Sequence, residues 1–337
     1  MINLRYHVVS LVAVFLALGM GIVMGSTVID RVTVDALNNN LNNVRSDVNR
    51  TREENGRLAE QVREGQDFAD QSLTHVVRDH LAGVPVLVVA VTGIDRKPVE
   101  SLRQSLVTAG ASVQGTIWVT SKMRLDNDAE TQALADTLTT ADAAPVPPVP
   151  PVEALPGTEP APSTTTTVAG LSLDSDDVRQ QALANLVGEP APLAALVSAG
   201  FLSYEPPDVA GGPATSTPVP GLGAIPVAGT RFVVVSGAGA EVGDDLLALP
   251  LAQILATGGR QAVAAEAGQD TDGGRAVFVG LLRRDAIANG KVSTVDNLES
   301  PMGQAAVVLA LEELGESRVG HYGVGPGAQR LLPALPA

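Results

Sequence analysis

Three stretches of this chain carry residues whose types and spacing could do chemistry. The first is the polar run STVDNLES (293–300), where Asp296, Asn297 and Glu299, joined in space by His321, would gather carboxylates, an amide and an imidazole. Such a set could form a polar site. The same residues also read as an Asx turn followed by a helix cap, with Ser300 placed just before Pro301. The second stretch is SGAGAEVG (236–243), set between an expected strand and an expected helix. Glycines in that position let backbone N–H groups approach a pyrophosphate. From Gly237 the spacing is GxGxxxG, one residue longer than the dinucleotide fingerprint, and Glu266 lies later than a ribose-binding acid should. Tight packing of a short turn is the competing use, and no GK[ST] pattern follows any glycine-rich turn. The third is the pair Met20 and Met24, one helical turn apart in an apolar span, which offers soft sulfur to a metal or simply packs.

Nothing else suggests catalysis. The four histidines (His7, His75, His80 and His321) form no metal-site spacing, and no Ser-His-Asp or metalloprotease pattern occurs. With no cysteine, disulfides, thiolate metal sites and a Cys nucleophile are excluded. The chain is therefore read as non-enzymatic, with no catalytic or cofactor-binding residue assigned. Its net charge of −15 and pI near 4.6 argue against a nucleic-acid surface, which needs a basic patch.

The elements that must position these residues begin with the apolar opening. Residues 8–29 carry no charged side chain, and 22 residues of helix reach about 33 Å, enough to cross a hydrocarbon core of about 30 Å. We read residues 1–29 as a retained single-pass anchor. A cleaved export signal is the alternative, with Val23-Met24-Gly25 its nearest cleavage site. Arg5 precedes the span, which favours a cytoplasmic N-terminus and an extracytoplasmic remainder. Ala13, Ala17, Gly21 and Gly25 recur every fourth residue, a face on which two membrane helices can approach closely. A heptad seam follows in residues 30–80: Leu37, Leu41, Val44, Val48, Thr51, Asn55, Leu58, Val62, Gly65, Ala69, Ser72 and Val76. Asn55 takes an a-type position, where a polar residue commonly sets register. The expectation is a coiled-coil stalk and a homodimer or higher oligomer, against the alternative of a single amphipathic helix.

Beyond the stalk the pattern becomes that of an α/β head. VPVLVVAV (84–91) and ASVQGTIWVT (111–120) read as strands around a helix at 98–108. Residues 143–170, rich in Pro and Thr, read as an extended linker between this first part of the head (81–142) and a second (171–337). In the second part we expect helices at 176–187 and 190–199, a strand at 231–239, a helix at 243–257 and a strand at 261–268. RAVFVGLL (275–282) reads as a further strand, and a helix runs from Pro301 to Gly315. The two βαβ units look like a degenerate repeat. The alternation implies a doubly wound, Rossmann-like head.

The opening INLRYHVVSLVAVFLALGMGIVMG, the strand VLVVAV, and KVSTVDNLESPMGQAAVVLAL with HYG at 321–323 resemble the mycobacterial copper transport protein (MctB-like) family of actinobacteria. The resemblance spans most of the chain apart from the Pro/Thr-rich stretch. It implies an envelope location and a role in copper transport or homeostasis, with copper as the species handled. The ligand inventory suggests another class: an envelope scaffold whose head recruits a protein partner connected with the cell wall or division.

Overall fold

The computed structural model describes residues 4–142, 174–188, 192–207, 221–268 and 278–334. The chain divides into two compact units, residues 1–67 and 68–337. The described residues of the first lie within helix α1 (Leu4–Val77), whose last turns belong to the second unit. Within it, Arg5–Gly25 is long and apolar enough to cross a membrane, with a mean hydropathy of 2.5. Asn39, Asn40, Gly56 and Gly65 do not interrupt the helix, although each glycine costs about 1 kcal/mol of helix propensity.

The second unit is one mixed seven-stranded sheet with helices on both faces. Its elements are β1 (Pro85–Val91), α2 (Arg96–Thr108), β2 (Ser112–Val119), α3 (Asp128–Asp142), α4 (Ser175–Val187), α5 (Leu193–Ser198), β3 (Leu202–Glu205) and β4 (Arg231–Gly237). They continue with α6 (Ala248–Thr257), β5 (Ala262–Ala267), α7 (Phe278–Leu282), β6 (Ser293–Val295), α8 (Pro301–Gly315) and β7 (His321–Tyr322). The strand order is β3-β2-β1-β4-β5-β6-β7, all parallel except β3. Counting parallel strands alone, the order is that of flavodoxin-like sheets rather than the classic dinucleotide fold, and it reverses between β1 and β4. The two βαβ units thus run outward from the centre in opposite directions, which puts α2 and α6 on opposite faces.

The central strands are apolar on both sides because both sides are covered. Leu87, Val89 and Val91 of β1 join Phe232 and Val234 of β4 in a core capped by α3 to α7. Val86, Val88, Ala90, Val233 and Val235 face the other way, into a core with α2 and α8. The end of α1 contributes Val77 to that second core, with Leu73 and Val76 packed against it.

Most expected elements are present, with shifted ends: the strand expected at 231–239 ends at Gly237, and the helix expected at 243–257 starts at Ala248. The reading of 275–282 as a strand is corrected. Residues 278–282 are helical, and 275–277 lie outside the described residues, as does the linker at 143–170. A short apolar run has the same periodicity in either state. Here the buried carboxylate of Glu266 accepts the N–H of Val279 at 3.0 Å, satisfying a donor at the start of the helix. The helix α3 and the antiparallel strand β3 had no counterpart in the sequence reading. The edge strand β3 is held through Glu205, which accepts from Trp118 Nε1 (2.9 Å), from Arg96 (3.0 Å) and from Arg103. Burial pushes the Glu205 carboxyl up, but the Trp118 donor and the two guanidiniums outweigh it and hold the group below its usual range.

The packing of α8 gives a direct test. Ser300 caps its N-terminus, accepting from Gly303 N at 3.0 Å, and a Cβ on Gly303 would overlap the Asn297 carbonyl. Gly303→Ala is expected to destabilise the protein by about 1–3 kcal/mol, measured by denaturant unfolding.

Candidate functional site

Both enzyme-like stretches can now be placed. The glycine-rich turn after β4 lies at the topological switch point, where open α/β sheets ordinarily admit ligands. In this protein the turn closes on the end of β1. Glu241 N donates to Thr92 O at 2.7 Å, and Thr92 Oγ1 donates to the Glu241 carboxylate at 2.6 Å. Gly93, at φ +97°, lies so near Gly239 that a Cβ would overlap the Gly239 carbonyl, and a Cβ on Gly237 would overlap Ala267. The glycines serve backbone-to-backbone contact between neighbouring turns. Glu266 is buried beneath α7 with its carboxylate on Val279 N, and there it serves the helix.

The polar run is brought together by folding, in part. Ser293, Thr294 and Val295 form β6 rather than a loop, which buries Asp296 and Asn297 at its end. Asp296 pairs with Arg283 at 2.7 Å, their side chains only 1% and 4% exposed. It also accepts the N–H groups of Val324 (2.7 Å) and Gly325 (2.9 Å). Arg283 gives three further donors to Thr294 Oγ1 (2.9 Å), Pro326 O (3.0 Å) and Tyr322 O (2.8 Å). His321 joins through Thr294 Oγ1 on Nδ1 (2.9 Å) and Asn289 Oδ1 on Nε2 (3.0 Å). Burial, and secondarily the Arg283 charge, lower its pKa below the usual histidine value. Beside it, burial and the hydrogen bond to Glu313 push the Tyr322 hydroxyl far above its usual range.

The two outlying candidates differ. Asn297 donates to Ser300 Oγ at 3.0 Å and supports the α8 cap, while its buried Oδ1 has no hydrogen-bond partner among the described residues. Glu299 is exposed and outside the cluster. Sequence reasoning missed Arg283, Thr294 and Asn289, and nothing in their local patterns marks them. The glycines of HYGVGPG were the available signal: a Cβ on Gly323, at φ +122°, would overlap the Asp296 carboxylate. The cluster is a saturated node that fixes residues 321–327 to the sheet.

The soft ligands are dispersed. Met123 is buried in one core, Met302 sits half-exposed in the first turn of α8 on the other face, and Met20 and Met24 project from the apolar helix. Among the described residues no three His, Cys, Asp or Glu side chains group as a metal site.

The family model for "Copper transport outer membrane protein, MctB" matches residues 1–333, anchor and head alike. The chain belongs to the MctB family. It is 27% identical over 329 residues to Copper transporter MctB of Mycobacterium tuberculosis (strain ATCC 25618 / H37Rv), covering 97% of this chain and 98% of that protein. The same figures hold for Copper transporter MctB of Mycobacterium bovis. The relative of that name in Mycobacterium leprae is 28% identical over 332 residues, with 97% and 98% covered. In this MctB-family head, both the Asp296 run and the HYG segment belong to one buried node.

Removing one partner of a buried ion pair strands the other's charge, at about 3–5 kcal/mol. Asp296→Ala is expected to lose stability of that order in denaturant unfolding. Glu299→Ala, on the exposed side of the same run, should stay within about 0.5 kcal/mol of the parent.

Proposed function

We propose that this chain is a single-pass envelope protein that serves copper transport or homeostasis as an anchored homodimer, with its N-terminus cytoplasmic and its head outside the membrane. The observation that carries the reading is the family match over residues 1–333, which takes in the apolar helix and the head together. The listless chemistry of the head supports a division of labour. Cu(I) favours sulfur donors, yet Met123 and Met302 lie in opposite layers of the head, and the Asp296 node has its donors and acceptors committed to the protein. Met20 and Met24, 64% and 68% exposed on one helix face, are the soft atoms that parallel copies could bring around a common axis. The head then acts on copper handling through a protein partner, as an envelope scaffold would.

Several features support the dimer. Leu37, Leu41, Val44, Val48, Leu58 and Val62 are 42–59% exposed along α1, apolar surface that a second helix would cover. A Cβ on Gly21 or Gly25 would meet nothing within 4 Å in this chain, so that face is open to the close approach of a second helix. Within the second unit, Leu73, Val76 and Val77 at the end of α1 pack into the second core of the head.

Cysteines at Leu58 in both copies should crosslink under mild oxidation, and Gly21→Ile should weaken association, each interhelical contact contributing about 0.6–2 kcal/mol. Failure of the Leu58 pair to crosslink, while a control pair reacts, means a monomeric stalk. Protease added to spheroplasts should digest the head and spare an N-terminal tag. A mature N-terminus near Ser26 contradicts the anchor. Met20→Leu with Met24→Leu, tested in a strain lacking the protein, should leave copper tolerance intact if the head works through a partner. Loss of tolerance assigns transport to the helix itself.

A further inference from the structure

We propose that His321 is a proton-sensitive latch that holds residues 321–330 on the edge of the sheet when neutral and releases them when protonated. The backbone contribution to this edge is small. The strand β7 has two residues, pairing Thr294 with His321 and Val295 with Tyr322. Its continuation folds back on itself, Gln329 N donating to His321 O (2.8 Å) and Gly323 N to Arg330 O (3.0 Å). What ties this loop to the sheet is the side-chain node: Arg283 on Tyr322 O and Pro326 O, Asp296 on Val324 N and Gly325 N, and the His321 ring between Thr294 and Asn289.

Hydrogen-bond direction determines the charge that the ring can carry. Arg283 Nε–H occupies one acceptor position of Thr294 Oγ1, and arginine can only donate. The Thr294 hydroxyl proton is then free to go to His321 Nδ1, and Nε2–H donates to Asn289 Oδ1. Every group is satisfied with the imidazole neutral. A proton added at Nδ1 would face the Thr294 oxygen, force its hydroxyl proton away, and set a second positive charge beside Arg283. Among the described residues, the charged side chains of this cluster are Arg283 after α7 and Asp296 at the end of β6, and on the returning segment the Arg330 backbone N–H donates to His321 O. The carboxylate of Asp296 is already committed to Arg283 and two backbone N–H groups, so it has little left to offer an imidazolium.

The direction of the pH effect follows. With the folded-state pKa below the unfolded value of about 6.5, both states are neutral above that pH and no stability is lost. As pH falls below about 6.5 the open form takes up the proton first, so the closed form weakens progressively until the folded pKa is passed. Aspartates and glutamates titrate mostly lower, near 4, which leaves the range from about 6.5 to 5 to histidine.

The test uses the full chain in detergent micelles or nanodiscs, with amide hydrogen exchange measured at pH 7.5 and 5.0 and corrected for intrinsic rates. Protection of residues 321–330 should fall severalfold at the lower pH, while β1 and β4 hold theirs. In His321→Gln the pH dependence should vanish, whatever the basal protection. Unchanged protection in the parent protein, or a pH dependence that persists in His321→Gln, overturns the proposal. Nitrogen NMR of labelled histidine in the parent supplies a check independent of any variant: His321 should carry its proton on Nε2 at pH 7.5. A proton on Nδ1 at that pH also overturns it.

Discussion

The central strands of this head are buried on both faces, and much of the rest answers to that constraint. From Val86 to Val91, and from Phe232 to Ser236, every residue is buried. A sheet of this kind is stable only when helices cover both sides, since each exposed Val or Leu would forfeit about 1.5–3 kcal/mol of burial. Alternate side chains of β1 enter different cores, so α2 and α8 close one side while α3 to α7 close the other. Parallel strands also require crossovers, and the reversal of direction between β1 and β4 sends successive crossover helices to opposite faces. The close contact of Gly93 with Gly239 is a local outcome of that arrangement, because two neighbouring strands deliver their turns to one place.

At the edges the constraint relaxes, and polar chemistry takes over the work of holding strands. On one side, β3 joins through Glu205 and its cluster of Trp118, Arg96 and Arg103. On the other, β7 depends on Arg283 and Asp296. Both are short strands with little ladder of their own, and in each case a carboxylate and a guanidinium supply what backbone pairing lacks. A buried pair of this sort adds little over an apolar replacement, yet it is costly to break singly. The C-terminal end of α8 follows the same logic. Arg231 and Gln261 donate to the carbonyls of Leu311 and Leu314 in its last turns.

The family relationship and the ligand inventory together shape the functional picture. A chain whose relatives are named copper transporters offers copper few soft atoms, and those in the head stand in separate layers. The polar residues that first suggested a binding site bind the protein itself. The anchored, dimeric envelope protein with a partner-recruiting head that we propose would accommodate both facts.

What the sequence by itself determined is the content of elements with strong local signals. The apolar span of α1, the β-branched strands β1 and β4, and the Ser300-Pro301 start of α8 are each set by neighbours within a few residues. Helix α3 and strand β3 were not legible, because weakly patterned segments take their state from what they pack against. Residues 278–282 became a helix because Glu266, a residue of another element, accepts a backbone N–H there. The candidate site divides in the same way. That Asp296 and His321 belong together was readable as a suspicion from their types. That Arg283, Thr294 and Asn289 complete the cluster, that Glu299 stays outside it, and that its atoms are spent on one another was decided only by tertiary structure. Ion pairing and hydrogen bonding depend on distances between atoms up to 43 residues apart in the chain, and no local pattern encodes those distances.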